Sequence, residues 1–457
     1  MIHQHDLSEK NNLEISRAFK TLKINKILRF ANIRKSEGFT AAYLFQLLIV
    51  LVFKNKNLYR LLDSAKGKDR PQKDSYYRFL KQPTYAWRRF LATLSLNVIQ
   101  SFASLTSDKR VKVLIIDDSL FSRSRSKKVE LLARVFDHVT GKMVKGFSML
   151  TLGWSDGHSF VPVDFDMLSS VQDKNRLSEI DARIDKRTHG FKRRQDALQQ
   201  RPDSVHKMVK SALESGILAD YILMASWFAN EPMIKSMLDL DLDVIGMVKN
   251  QKQRYELDGI WYSLPELRCK LKASDFNDVI GQIHVKIKSG IKVKLVFIKN
   301  RNKWKEWLAL VCTDLEITPA EVVWIYGMRW DIEVFFKASK SLLKLAKEFQ
   351  GRSFDMTISH TTISHTTIVF TRFIILQWIH RQHTDHRTFG ELFYDFCDEV
   401  KQVDFVDSLK SLLEIISEIK NSVSQQANNL VSRLLDNWIR TQPSHIRHLL
   451  GLLVCES

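Results

Sequence analysis

The chain has 457 residues, and its 70 lysines and arginines outnumber its 51 aspartates and glutamates, giving a formal net charge of +19. This length predicts about two to four domains, and a hydrophobic content of 44% excludes a wholly disordered chain. The 16 glycines, 8 prolines and 4 widely spaced cysteines exclude a collagen-like repeat, a zinc knuckle and a disulfide framework. The excess positive charge favours nucleic acid as a partner, in the cytoplasm.

Residues 1–105 predict a helical domain, because apolar side chains recur at helical spacing without sustained alternation. The apolar run at residues 43–53 is too short to span a membrane and predicts a buried helix. Two tracts that combine cations with aromatic residues follow it, and they predict contacts with DNA phosphates and bases. The alternative is an amphipathic helix with its aromatics in the core. The cations of these tracts are Lys66, Lys68, Arg70, Lys73, Arg88 and Arg89.

From residue 111 onward the pattern changes to strands. A β-branched run predicts a first strand that ends at Asp117 and Asp118. Hairpin strands come next, and strands that alternate with helices follow them, which predicts a mixed sheet covered by helices. The basic segment 183–201 predicts an exposed loop or helix. Its cations at Lys192, Arg193 and Arg194 are expected to follow the DNA backbone.

The predicted fold class is α/β, with a mixed-sheet core in two parts, residues 106–252 and 316–352. A β-rich insertion at residues 253–315 interrupts this core. Helical regions at residues 1–105 and 353–457 flank it, the first for DNA binding and the second for DNA binding, dimerisation or both.

A repeated TISHT sequence within the C-terminal region places His360 and His365 five residues apart. That spacing suits one helix face poorly and favours a local duplication or helix-entry sequence over a metal site.

A helix from Pro319 to about Lys347 is predicted by the Thr318–Pro319 pair at its start. Its periodicity places four polar side chains within roughly a 60° sector. One carboxylate, two cations and a phenol on such a stripe suit a metal ion beside a phosphodiester. The alternative is a solvated face with an internal ion pair. The four residues are Tyr326, Arg329, Glu333 and Lys340.

The spacing Y-x2-R-x3-E-x6-K of these residues resembles the signature of the bacterial insertion-sequence transposases of the IS-four family. The resemblance implies a ribonuclease-H-like core and DDE chemistry with Mg²⁺ or Mn²⁺. It implies a homodimer that binds the terminal inverted repeats of double-stranded DNA and moves the element by cut-and-paste. Glu333 and either Asp117 or Asp118 would hold the metal, while Arg329 and Lys340 would hold phosphates.

Two details of the resemblance stay open. A D-x-[ST] pattern favours Asp117 as the first metal ligand, whereas an aspartate directly before a hydroxyl residue favours Asp118. Some members of the family cut through a DNA hairpin, whose formation is helped by a flipped base held by stacking. Trp304 and Trp307 are candidates for that stack, and packing in the core is the alternative.

The sequence departs from the family at Ala225, which stands where the second catalytic aspartate is expected. Loss of this carboxylate predicts that cleavage is nearly abolished while DNA binding survives. An engineered substitution and natural decay would both leave this alanine. A non-cleaving DNA-binding regulator or domesticated transposase is the alternative function. A ribonuclease-H-type nuclease is a second alternative, against which the long helical flanks argue.

Overall fold

The computed structural model describes most of the chain between residues 14 and 441. Outside the described residues within this span are 57, 59–61, 63–70, 108, 125, 127–128, 138–139, 252, 272–277, 301–302, 304–305, 348–358, 383–385, 402–415 and 417–424. None of the described helices combines the length and apolar character that a membrane span needs.

The N-terminal region is helical as predicted. Its helices are α1 (Glu14–Thr21), α2 (Ile24–Phe30), α3 (Ala41–Val50), α4 (Lys73–Lys81) and α5 (Trp87–Ala103). Thr40 caps α3 by accepting a hydrogen bond from the Tyr43 amide at 3.2 Å. Most of the apolar run inside α3 is buried, as predicted, and the polar Gln46 within it is buried as well. This region therefore forms a packed helical layer.

One mixed sheet runs through the molecule. Its first strands are β1 (Val113–Ser122), β2 (Ala133–Asp137), β3 (Lys142–Ser155), β4 (Phe160–Leu168), β5 (Tyr221–Met224) and β6 (Asp243–Val248). β3 pairs antiparallel with both β1 and β4. β5 pairs in parallel with both β1 and β6. Short helices fill the connections, at α6 (His189–Asp196), α7 (Arg201–Glu214) and α8 (Glu231–Leu238). The sheet is mixed, as expected from the order of hairpins and alternating elements.

The first strand is longer than predicted. It continues past Asp117 and Asp118 to Ser122, because the long strand β3 pairs with it as far as Gly146. Its parallel pairing with β5, however, stops at Ile116. The two aspartates thus lie within β1 but beyond the carboxyl end of β5.

The β-rich segment extends the same sheet. It contains β7 (Tyr255–Leu257), β8 (Ile260–Tyr262), α9 (Leu264–Cys269), β9 (Val279–Lys286), β10 (Lys292–Lys299) and β11 (Trp307–Cys312). β11 pairs antiparallel with β6, and β10 pairs with both β11 and β9. The segment interrupts the two parts of the core along the chain, but backbone hydrogen bonds between β11 and β6 make it part of the same sheet.

The predicted helix after residue 318 is two helices, α10 (Pro319–Gly327) and α11 (Trp330–Ser341), separated by a turn at residues 328–329. Thr318 and Glu321 form a capping box at the start of α10. α11 ends at Ser341, short of the predicted Lys347.

The long helix α12 (Ser359–Gln382) packs against the N-terminal helices and against β4. Its buried Arg372 donates hydrogen bonds to the carbonyls of Leu48, Ile49 and Leu343. The TISHT repeat overlaps the start of α12, where His365 is fully buried and burial lowers its pKa well below the usual value. A further helix, α13 (Gln425–Thr441), lies near the end of the described residues.

Three arginines predicted to contact DNA have partners inside the protein instead. Arg88 of α5 contacts Asp164 at 2.9 Å, Asp166 at 2.5 Å and Asp196 at 2.9 Å. Arg193 joins the same cluster through Asp166 at 3.0 Å. These charges connect the helical layer to β4 and α6, so they hold the fold together. Arg194 is likewise buried, in an ion pair with Glu130 at 2.6 Å.

Replacing Arg88 with alanine should lower the free energy of unfolding by about 3–5 kcal/mol, because it removes the arginine that contacts all three buried carboxylates of the cluster. The neighbouring Arg89 is exposed, so Arg89→Ala is the matched control and should change stability by no more than about 0.5 kcal/mol. Urea unfolding measures both. Equal stability of the two variants would show that the cluster is not a structural connection.

Candidate active site

The candidate site begins where β5 ends. Ile116 of β1 is paired with Met224 of β5, so the next residues along the two strands are Asp117 and Ala225. Adjacent strands lie about 5 Å apart, which makes these two positions neighbours. Asp220, at the other end of β5, instead accepts a hydrogen bond from the Lys112 amide at 2.7 Å. Asp220 therefore cannot replace the carboxylate missing at position 225.

The two aspartates of β1 point to opposite faces of the sheet, as alternation along a strand requires. Asp117 faces α11 and contacts Arg329 at 3.2 Å. Asp118 accepts a hydrogen bond from Ser148 at 2.7 Å and pairs with Arg201 at 3.2 Å. Only Asp117 thus shares a side of the sheet with the polar stripe.

The polar stripe of α10 and α11 faces this strand edge. The Tyr326 hydroxyl donates to the Met224 carbonyl at 3.4 Å. Arg329 bridges Asp117 and Glu333, and Lys340 donates to Ser119 of β1. The stripe survives the turn between the helices because Met328 and Arg329 keep helical backbone angles. We call this group the strand-edge site, which consists of Asp117, Ala225, Tyr326, Arg329, Glu333 and Lys340.

Burial changes the proton affinities of the strand-edge site. It raises the pKa of the Asp117 carboxyl to about 6, although Arg329 lies beside it. A cation must therefore compete with a proton at Asp117 below about pH 6. Burial also raises the pKa of Tyr326 to about 12, so its hydroxyl remains a donor at neutral pH. It lowers the pKa of the Lys340 ammonium.

The donor set at the strand-edge site fits a divalent cation only in part. Asp117 and Glu333 both contact Arg329, and two carboxylates with water can hold one Mg²⁺ ion. In the described part of the chain, no group of three His, Cys, Asp or Glu side chains could hold a metal. A clamp of two ions needs a bridging carboxylate, and Ala225 has no donor atom in its side chain.

The remaining predicted DNA contacts divide into three groups. Lys73, Arg89 and Lys192 are exposed on the helices. Trp307 is partly buried, 5.4 Å from the Phe297 ring, which favours packing over base stacking. Lys66, Lys68, Arg70 and Trp304 lie outside the described residues.

Several neighbours of the strand-edge site had no clear signal in the sequence. Ser119 and Ser148 are ordinary strand residues, and Arg201 is one of many cations. Trp227 lies two residues after Ala225 and is 53% exposed. These residues become visible only when β1, β5 and α7 are placed together.

Comparison with known proteins gives one family match. Residues 33–259 match the model of the DDE superfamily endonucleases, a span that includes Asp117 and Ala225 but not Glu333. No curated protein matches the chain. Among solved structures, the chain is similar to one titled "Cryo-EM structure of piggyBac transposase synaptic complex with hairpin DNA (SNHP)". Identity is 13% and the TM-score is 0.45, over 86% of this chain and 81% of that one. The family match supports an endonuclease of the DDE type.

Proposed function

We propose that this chain is the transposase of a bacterial insertion sequence, which binds the terminal inverted repeats of its element as a homodimer. Cut-and-paste transposition by its active form needs Mg²⁺ or Mn²⁺, and Ala225 impairs cleavage in this chain. The observation that carries the proposal is the meeting of the Tyr-Arg-Glu-Lys stripe with Asp117 and position 225 at one strand edge. On a merely solvated face, the four side chains of the stripe would not be directed toward the edge of β1 and β5.

The strand arrangement supports a ribonuclease-H-like core for this function. Three antiparallel strands are followed by two parallel strands that helices connect. The carboxyl end of β5 then carries position 225 beside Asp117. The family match over residues 33–259 supports the same type of enzyme.

Each side chain of the strand-edge site has a chemical role in this proposal. Asp117 and Glu333 would hold the divalent ion, which polarises the phosphodiester and activates water when bound. Arg329 presents several N–H donors that suit a phosphate, and Lys340 adds a second cation nearby. The neutral Tyr326 hydroxyl can donate to a phosphate oxygen. None of these side chains replaces the carboxylate missing at position 225.

A DNA-binding regulator that never cuts is the competing function, and Ala225 is compatible with it. The complete stripe favours the transposase. Arg329 contacts both Asp117 and Glu333, and a regulator that never cuts has no need to hold these two carboxylates close together. A ribonuclease-H-type nuclease would need neither the helical layer of α1–α5 nor the long helix α12.

The proposal is tested by gel shift with duplexes taken from the two ends of the element, against random duplex of equal length. We expect at least about tenfold preference for the ends at 150 mM salt, within the range of specific DNA binding. Affinity should fall steeply with salt. A plot of the logarithm of the binding constant against the logarithm of the salt concentration should have a slope of about −0.9 per phosphate contacted. Equal affinity for end and random duplexes would refute recognition of the terminal repeats.

A further inference from the structure

The hairpin of β2 and β3 extends beyond the strands that flank it. Strand pairing of β3 with β1 begins at residue 146 and with β4 at residue 148, so among the described strands residues 142–145 pair with β2 alone. Residues directly opposite each other on antiparallel strands point to the same side. Four side chains therefore share one face of this ribbon, which we call the hairpin face. They are Arg134 opposite Lys145, and Phe136 opposite Met143.

The charges of the hairpin face suit an anionic partner. Arg134 and Lys145 are exposed, and neither has an ion-pair partner among the described residues. Like charges directly opposite each other on two strands are destabilising, so this arrangement costs stability unless an anion lies beside both. None of the four side chains of the hairpin face is a carboxylate. Charge complementarity therefore selects a polyanion.

The apolar pair of the hairpin face lies beside these cations. Phe136 is 49% exposed and Met143 is 53% exposed, although Phe and Met are among the residues most often buried. Proteins that bind the minor groove of DNA combine cations with apolar side chains such as Phe and Met, which pack against the base steps. The chemistry that matches the hairpin face is therefore duplex DNA.

The hairpin face lies on the same side of the sheet as Asp117. Asp117 is directly opposite Thr151 of β3, and every second residue from Thr151 back to Met143 shares its face. These eight residues span about 26 Å at 3.3 Å per residue. Since a DNA strand carries one phosphate per 3.4 Å, this distance corresponds to no more than about eight base pairs.

The tip of the hairpin bends toward the strand-edge site. Asp137, the last residue of β2, lies within electrostatic range of Lys340 on α11, and it accepts a hydrogen bond from Thr140 at 2.7 Å. The hairpin and α11 thus border one region in front of the sheet. A duplex that places a phosphate at Asp117 can reach both.

We propose that the hairpin face binds the minor groove of the duplex held at the strand-edge site, within about eight base pairs of the phosphate at Asp117. Its two cations contact phosphates, and its apolar pair packs against the sugars and bases between them. The inference rests on the proposed function, since it adds a contact to the same DNA. A second copy of the chain is a poorer partner for this face, because each copy carries a net charge of +19.

The charge contact is tested by the salt dependence of binding to an end duplex with flanking DNA and to a random duplex of equal length. In the full chain, Arg134→Gln combined with Lys145→Gln should make the slope of the double-logarithmic salt plot shallower by about 1.8 on both duplexes, since each phosphate contact contributes about 0.9. Lys142→Gln is the matched control, because Lys142 is exposed on the same hairpin but alternates to the opposite face. Its slope should equal that of the unchanged chain.

The apolar contact is tested by Phe136→Ala combined with Met143→Ala. Affinity for both duplexes should fall about fivefold, because apolar area that DNA covers is lost. The salt slope should not change, because no charge is removed. Should either double variant fail to fold, Lys145→Gln and Met143→Ala carry the tests singly, with a slope change of about 0.9 for the first.

The position of the contact is tested by hydroxyl-radical footprinting of the end duplex. Protection that the unchanged chain gives and the cation double variant loses should lie within about eight base pairs of the terminal nucleotide of the element. Loss of protection only at more distant positions would contradict the placement of the hairpin face beside the strand-edge site.

The outcomes separate this inference from the proposed function. An unchanged salt slope in the folded cation double variant would overturn the hairpin contact and leave recognition of the ends standing. Normal DNA binding by the apolar double variant, with a smaller oligomer in analytical ultracentrifugation, would also overturn it, because the pair would then face a second copy. Equal affinity of the unchanged chain for end and random duplexes would refute the proposed function, whereas the slope change on random duplex would still support the hairpin contact.

Discussion

Aspartate at position 225 should give this chain cleavage activity at the ends of its element. The carboxylate would stand beside Asp117 at the end of β5 and complete the donor set with Glu333. We expect nicking in Mg²⁺ to rise by about 10²- to 10³-fold, the usual size of one electrostatic contribution to a transition state. Labelled end duplexes resolved on denaturing gels measure the nicking rate.

Ala225→Asn is the matched control, because it has the shape of aspartate without the negative charge. It should leave nicking at the level of the unchanged chain. A second readout does not depend on activity: Mg²⁺ should raise the melting temperature of the Ala225→Asp variant more than that of the unchanged chain. Absence of both effects in Ala225→Asp would show that the missing carboxylate is not what limits this protein.

Asp117→Asn should abolish the restored activity, whereas Asp118→Asn should not. In the Ala225→Asp background we expect Asp117→Asn to reduce nicking by about 10³-fold. Asp118 points to the other face of the sheet, where it contacts Ser148 and Arg201. Its replacement should cost about 1 kcal/mol of stability through the weakened ion pair and leave most of the nicking intact.

The Asp117→Asn and Asp118→Asn variants can also be compared by metal binding, which does not depend on cleavage. Mn²⁺ binding followed by electron paramagnetic resonance should weaken in Asp117→Asn and remain unchanged in Asp118→Asn. Asp118→Asn is also the folding control for this position, since the two variants differ only in the face of β1 that they alter. Equal loss of Mn²⁺ binding in both would contradict the assignment of Asp117.

Local patterns were sufficient for much of the site. The 100° step of a helix placed Tyr326, Arg329, Glu333 and Lys340 on one stripe, and the structure directs all four toward β1 and β5. Alternation along β1 required Asp117 and Asp118 to lie on opposite faces. Neither pattern states which aspartate faces the stripe, because that depends on where α11 packs.

The cationic tracts show where local patterns fail. Arg88, Arg89 and Lys192 are equally basic in the sequence, yet Arg88 lies among three aspartates while the other two face solvent. The partners of Arg88 come from β4 and α6, which are 76 or more residues away along the chain. Charge composition cannot distinguish a buried ion pair from a phosphate contact, since both need the same side chain.

By itself the sequence determined the order of helices and strands, the helical stripe and the absence of a carboxylate at position 225. These are properties of short segments, governed by side-chain periodicity and residue identity. Only the tertiary structure decided that Asp117 rather than Asp118 faces Glu333, and that Arg88 and Arg193 are internal. Each of these depends on contacts between residues distant in sequence, which hydrophobic burial and strand pairing bring together.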